Sequence, residues 1–272
     1  MEVLGYLSSI IIGISLGLIG GGGSILTVPV LVYLLGVNPV TATAYSLFIV
    51  GTSSLFGVWP KYKQGLVDLK TAVVFGIPSI AAVFATRKFI VPAIPSDVFH
   101  VGEFVVTKAI LMMVLFAVLM VAASISMIKE KKKEDIEENE PQNFNYPLIL
   151  VEGGIVGVLT GLVGAGGGFL IIPALVMLSK LSMKKAVGTS LLIIAAKSLI
   201  GFIGDTISDS ASMNWILLLS VTGLAIVGIL VGNLLSKKID GNKLKKGFGW
   251  FVLVMGAYIL LNELVLKSGG GH

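Results

Sequence analysis

Two glycine runs and one lysine are the residues whose types and spacing could do chemistry in this chain. The runs are Gly20 to Gly23 followed by Ser24, and Gly164, Gly166, Gly167 and Gly168, each inside an apolar stretch that ends in a proline, Pro29 or Pro173. Glycine is the poorest helix former short of proline, so each run should break a helix where it sits. A broken helix exposes unpaired backbone N–H groups and the positive end of a helix dipole, and two such ends that converge inside a membrane make an anion site. Ser24 could cap the segment that restarts after the first break. The candidate ligand-facing residues are therefore Gly21, Gly22, Gly23 and Ser24 in the first run, and Gly166, Gly167 and Gly168 in the second.

Lys197 lies inside the apolar run from Leu191 to Gly201. An ionisable side chain within a membrane span costs several kcal/mol and points by default to function, here a cation beside an anion path. Its competing reading is snorkelling to the interface. The hydroxyls of Ser46 with Ser190 and of Ser54 with Ser198 stand at matching places in the two halves and could line the same cavity or serve as interhelical hydrogen bonds; Ser53, which matches Lys197, and Thr189, which matches Tyr45, join them as candidates. Glu152 is a candidate proton-coupling carboxylate, with an interfacial position as its alternative. No catalytic acid/base pair and no metal-ligand cluster can be named, and neither glycine run carries the lysine and hydroxyl that follow a nucleotide-binding phosphate loop.

The elements that must position these groups follow from composition. Of 272 residues, 55% are hydrophobic and 13% charged, too few charges to cover a soluble surface, so the chain is read as an integral membrane protein of continuous helical spans. The runs do not alternate as barrel strands would. Zero cysteines exclude disulfides and thiolate chemistry. The net charge of +5 is read as a topology signal rather than a nucleic-acid surface.

The chain is also a repeat. At an offset of about 144 residues, roughly 17 of about 41 positions from Gly17 to Gly57 recur without a gap. This predicts an all-α polytopic membrane protein of two inverted structural repeats, each a glycine-broken, re-entrant helical hairpin plus three transmembrane helices. The first repeat is placed at 1–128, a charged linker at 129–145 and the second repeat at 146–267; residues 268–272 read as an appended tail. Spans are expected from about Val40 to Trp59, Thr71 to Phe89 with a kink at Pro78, 109 to 128, 186 to 204, 214 to 235 and 247 to 266. The glycines at 13, 17, 153 and 157 are assigned to close helix packing. With hairpins that enter and leave on one face, the basic loops at 61–70, 129–133, 180–185 and 237–246 all fall on one side, which the positive-inside rule makes cytoplasmic together with the linker. Arg87, Lys88 and Lys108 run against that pattern. If each broken segment crossed fully instead, the halves would run parallel.

At its paired glycine blocks, each followed by alanine and serine four residues apart (Ala42 and Ser46, Ala186 and Ser190), the sequence resembles the sulfite exporter TauE/SafE family of membrane permeases over essentially its whole length. The resemblance implies transport, commonly export, of sulfur-containing anions such as sulfite or organosulfonates. Ala165 stands where the first block has Gly21, a departure that sets equal roles for the two tips in question. The expected function is a secondary transporter in the cell membrane, working by alternating access, with no cofactor, open to proton or sodium coupling and to homo-oligomerisation. Its partners are a small anion and the lipid bilayer, not nucleic acid. An anion channel and a non-transporting membrane scaffold are the alternatives.

Overall fold

The computed structural model describes residues 2–101, 104–129, 146–164, 166–177, 181–206, 213–236 and 241–266. Most of the charged linker lies outside them. The chain folds as α1 (Glu2–Ile19), a returning arm made of 3-10 (Gly20–Leu26), α (Thr27–Pro29) and π (Val30–Leu34) turns, then α2 (Pro39–Lys63) and α3 (Leu69–Ala85), the last extended by a π turn over Thr86–Ile90. After a short β-hairpin, β1 (Asp97–Val101) and β2 (Phe104–Thr107), come α4 (Lys108–Ile128), α5 (Tyr146–Val163), α6 (Gly168–Met177), α7 (Met183–Thr206), α8 (Trp215–Leu235) and α9 (Gly241–Leu261).

Local chemistry sets these boundaries. Asn38 accepts a hydrogen bond from the Val40 N–H at 2.9 Å with Pro39 behind it, which starts α2. Asp68 accepts from the Thr71 N–H at 2.8 Å at the start of α3, and Asn214 from the Leu217 N–H at 3.1 Å at the start of α8. Five helices among the described residues are long and apolar enough to cross a bilayer, while the apolar part of α9, Gly249–Leu264, is shorter. The outer faces carry large exposed apolar side chains, among them Leu4, Ile11, Ile216, Leu234, Val254 and Leu261. A surface of that kind is stable against lipid tails, not water. The chain is thus an all-α polytopic membrane protein.

One sequence expectation is corrected. Four consecutive glycines do not leave an unwound gap: only Gly20 takes a left-handed backbone (φ 69°), and the helical path resumes at once as a 3-10 run. In a dry interior every backbone donor needs a partner, and the tighter 3-10 bond supplies one. Ser24 is therefore inside the run rather than at its cap, and its hydroxyl donates to the Gly21 carbonyl at 2.7 Å. The polar stretch before α4 holds an antiparallel hairpin in which Phe99 faces Val106 and His100 faces Val105. Its β-branched and aromatic residues suit a pleated ribbon.

The helices pack in exchanged pairs. α1 runs parallel to α8 with backbones in near contact, since a Cβ at Gly13 would lie 2.1 Å from the Ala225 carbonyl oxygen and one at Gly17 2.5 Å from that of Ile229. The repeat counterpart of α1, α5, runs parallel to α3 in the same manner, with Gly153 against Phe75 and Gly157 against Ser79. Small residues let membrane helices approach this closely, as the sequence reading of these four glycines expected. At the centre lie α2 and α7, the most buried of the spans. Leu47 meets Gly201, Gly51 meets Leu199 and Gly57 meets Leu191, so these two repeat counterparts run antiparallel.

That geometry fixes the course of the arm. The Tyr45 hydroxyl accepts from the Asn214 N–H near one end of α2, and the Asn233 side chain donates to the Gly57 carbonyl nearer the other, so α2 runs parallel to α8 and hence to α1. A chain that climbs along α1 and climbs again along α2 must descend between them. The descending limb is the arm from Gly20 to Leu34.

Candidate functional site

The two glycine breaks meet at the middle of the molecule. A Cβ added at Gly21 would lie 2.2 Å from the Gly168 Cα, and one at Gly168 would lie 2.0 Å from the Gly21 Cα. Nothing but glycine fits on either side of that contact. Gly21 also faces Ile194, at the middle of α7, which places the tips at mid-depth in the helical bundle. On the flanks the contacts exchange between halves: Gly20 abuts Val187 and Ser190 of α7, while Gly164 abuts Thr43 of α2.

The second tip is the more contorted. Gly164, Gly166 and Gly167 all have left-handed backbone (φ 72°, 64° and 63°), against Gly20 alone in the first. The Gly167 carbonyl accepts from the N–H groups of Leu170 and Ile171, which starts α6 and leaves the preceding N–H groups of Gly168 and Phe169 without an intrahelical acceptor. Ala165 lies outside the described residues.

Lys197 belongs to this tip. It is wholly buried, 0% exposed, and its Nζ would lie 2.8 Å from a Cβ placed on Gly167. Nζ donates to the Thr160 hydroxyl at 3.2 Å, and the Thr160 hydroxyl donates in turn to the Val156 carbonyl at 2.7 Å. No carboxylate among the described residues pairs with it. An ammonium buried without a counter-charge costs several kcal/mol, which a fold does not retain for packing alone. Snorkelling does not describe this lysine, because its head points at the protein centre.

The hydroxyls sort into two groups. Ser46, Ser54 and Ser198 are fully buried with no partner for their oxygens, and Ser198 Oγ stands 3.4 Å from a Cβ position at Gly166. Ser190, which donates to the Val187 carbonyl at 2.9 Å, sits beside Gly20. Of these, Ser198 and Ser190 lie against the tips. Ser53 is buried but its hydroxyl is taken by the Ile49 carbonyl, and Thr189 accepts from the Asp68 N–H at 2.9 Å, which ties α7 to the start of α3. Gly23 packs back on Ser15 of α1, Gly22 lies within the 3-10 run, and Glu152 is half-buried on α5 beside the Gly153 contact with α3.

Two participants escaped sequence reasoning. Thr160 is the hydroxyl that receives Lys197; the repeat places Leu16 opposite it, just as it places Ser53 opposite Lys197, so a search for polar residues that break the repeat would have found both. Arg87 was taken only as an exception to the charge pattern. It is 1% exposed, donates through Nη1 to Thr43 at 3.0 Å, and forms an ion pair with Asp205 at 3.3 Å.

Buried glycine tips, a lysine amine with no ion-pair partner among the described residues and unpartnered hydroxyls thus come together inside a multi-pass helical bundle. The sulfite exporter TauE/SafE family model matches residues 6–259, and the chain belongs to that family. Similar proteins include a probable membrane transporter protein of Xylella fastidiosa, 27% identical over 92% of this chain and 91% of its own length. Another is the probable membrane transporter protein YunE of Bacillus subtilis, 30% identical over 82% of this chain and 84% of its own. No solved structure matches. The protein is a multi-pass membrane transporter.

Proposed function

We propose that the protein is a secondary transporter, working as an exporter, of a sulfur-containing anion such as sulfite or an organosulfonate. The observation that carries this reading is Lys197: a buried cation with a hydroxyl for its recorded partner, set against the glycine tip whose backbone donors also favour negative charge. An oxyanion leaving water must exchange its hydration for fixed donors. The ammonium, the N–H groups of Gly168 and Phe169 at the start of α6 and the hydroxyls of Ser46 and Ser198, which have no partner, supply them.

The antiparallel course of α2 and α7 and the exchanged pairing of α1 with α8 and α5 with α3 support two inverted halves. Rocking one half against the other about the touching tips would open the site alternately to either side. The lysine-rich loops then face the cytoplasm, and export draws on a proton or sodium gradient, with Glu152 as the candidate carboxylate for protons. A channel would keep one open path, and a scaffold would need no ligand.

The test is thermal unfolding of the detergent-purified protein against sulfite, sulfate, thiosulfate, sulfoacetate, taurine, phosphate and chloride. A ligand present at about 100 times its dissociation constant stabilises the native state by roughly 2.7 kcal/mol. The expected outcome is selective stabilisation by a sulfur oxyanion. Equal response to every salt, or none, would count against the site.

A further inference from the structure

Arg87 is engaged on one side only. Nη1 serves both Thr43, at 3.0 Å, and Asp205, at 3.5 Å to Oδ1 and 3.3 Å to Oδ2. Nε and Nη2 have no partner, although the residue is 1% exposed. Those two nitrogens form the edge of the guanidinium that grips two oxygens of a carboxylate, sulfonate or phosphate at once. A structural ion pair would use that edge; Asp205 is held by the far nitrogen instead.

The position is equally specific. Thr43 abuts Gly164, the first residue of the second glycine tip, so the guanidinium is one side chain away from the break that holds Lys197. It stands on the other side of that break from the Lys197 contact at Gly167, toward the α3 and α7 ends, where a Cβ at Gly204 would lie 3.2 Å from the Arg87 Cβ. The Asp205 side chain is 12% exposed, so the pair lies between the tip and that surface. Lys108 acts electrostatically on both partners and adds a second cation there. These are the cations that break the otherwise one-sided distribution of basic loops, and topology gives them no role.

We infer that Arg87 is a second anion station on the transport path, between the central Lys197 site and the non-lysine-rich face, and that Asp205 is its resident counter-ion. The substrate oxyanion docks on the Nε and Nη2 edge and competes with the aspartate for the guanidinium. Asp205 thereby keeps the station from holding the anion too tightly to release it. This rests on the anion-transport reading and adds a direction along the path.

The experiment measures binding of radiolabelled sulfite to purified wild-type protein and to Arg87→Gln, Arg87→Lys, Asp205→Asn and Lys197→Met, with the unliganded melting temperature of each. Competition between anion and aspartate predicts effects of opposite sign: Arg87→Gln weakens sulfite binding by roughly tenfold or more, and Asp205→Asn tightens it several-fold. Arg87→Lys keeps the ion pair and the unliganded melting temperature but loses the fork, and its affinity also falls roughly tenfold. A purely structural ion pair predicts instead that Arg87→Gln and Asp205→Asn both lower the melting temperature, with Arg87→Lys binding sulfite as the wild type does. That result overturns the second station while leaving the Lys197 site standing if Lys197→Met has lost binding. If the wild-type protein binds neither sulfite nor any other anion of the panel, the transport reading and the station fall together.

Discussion

Replacing Lys197 with methionine is expected to abolish anion transport and, in the same protein, to raise the melting temperature. The two effects have one cause. The ammonium is held 0% exposed with Thr160 as its recorded hydrogen-bond partner and no ion pair among the described residues, so the folded state carries most of its desolvation cost. Methionine has nearly the same length and no charge to solvate. Exchanging buried ionic groups for apolar ones of similar volume is neutral or stabilising by about 1–4 kcal/mol. Loss of a desolvated cation opposite an anion costs about 3–5 kcal/mol of binding, a factor of roughly 10² to 4 × 10³ in affinity. Calorimetric or fluorescence melting beside uptake into proteoliposomes reads both. A fall in stability accompanying the loss of transport would make Lys197 a structural residue.

The second large effect belongs to the tip contact. Gly21→Ala and Gly168→Ala each place a methyl group within about 2 Å of the opposing backbone, 2.2 and 2.0 Å from Cα respectively. Neither chain can retreat, because the tips are wedged between α2 and α7, where Ile194 already lies 2.3 Å from the Gly21 Cβ position. Overpacking of this kind costs about 3 kcal/mol or more, and since the contact joins the halves, it should also remove transport. Gly154→Ala and Gly223→Ala are the controls. Both lie in helices with nothing within 4 Å of the added carbon, and alanine is the better helix former by about 1 kcal/mol. Their melting temperatures should be unchanged or slightly higher. Equal losses at all four positions would mean that the tip contact is not what glycine is required for.

Much of this was legible in the sequence because the repeat carries it. Gly20 and Gly164 mark the breaks, Pro39, Asp68 and Asn214 mark helix starts, and the apolar runs between them are long enough to read as spans. Lys197 stood out because a charge in such a run has few explanations. What could not be read depended on partners distant in sequence. Nothing in the neighbourhood of Thr160 announces that a lysine 37 residues on will reach it. Arg87 sits at the end of a span, where an arginine ordinarily marks an interface, and only the approach of Thr43 and Asp205 shows it to be interior. Ser53 and Thr189 were chosen by repeat position, but Ile49 on the same helix and Asp68 on a neighbouring loop occupy their hydroxyls. The 3-10 continuation after Gly20 was missed for a different reason: helix propensity is measured in water, which offers the unwound backbone partners that a bilayer withholds.

Counterflow in proteoliposomes tests the central claim most directly. Wild-type protein is reconstituted with unlabelled sulfite inside the vesicles, and entry of radiolabelled sulfite is compared with that into vesicles loaded with chloride. A carrier that alternates about a Lys197 site predicts faster labelled uptake against internal sulfite, absent with Lys197→Met. Uptake indifferent to internal sulfite, or equal in the variant and the wild type, would contradict it.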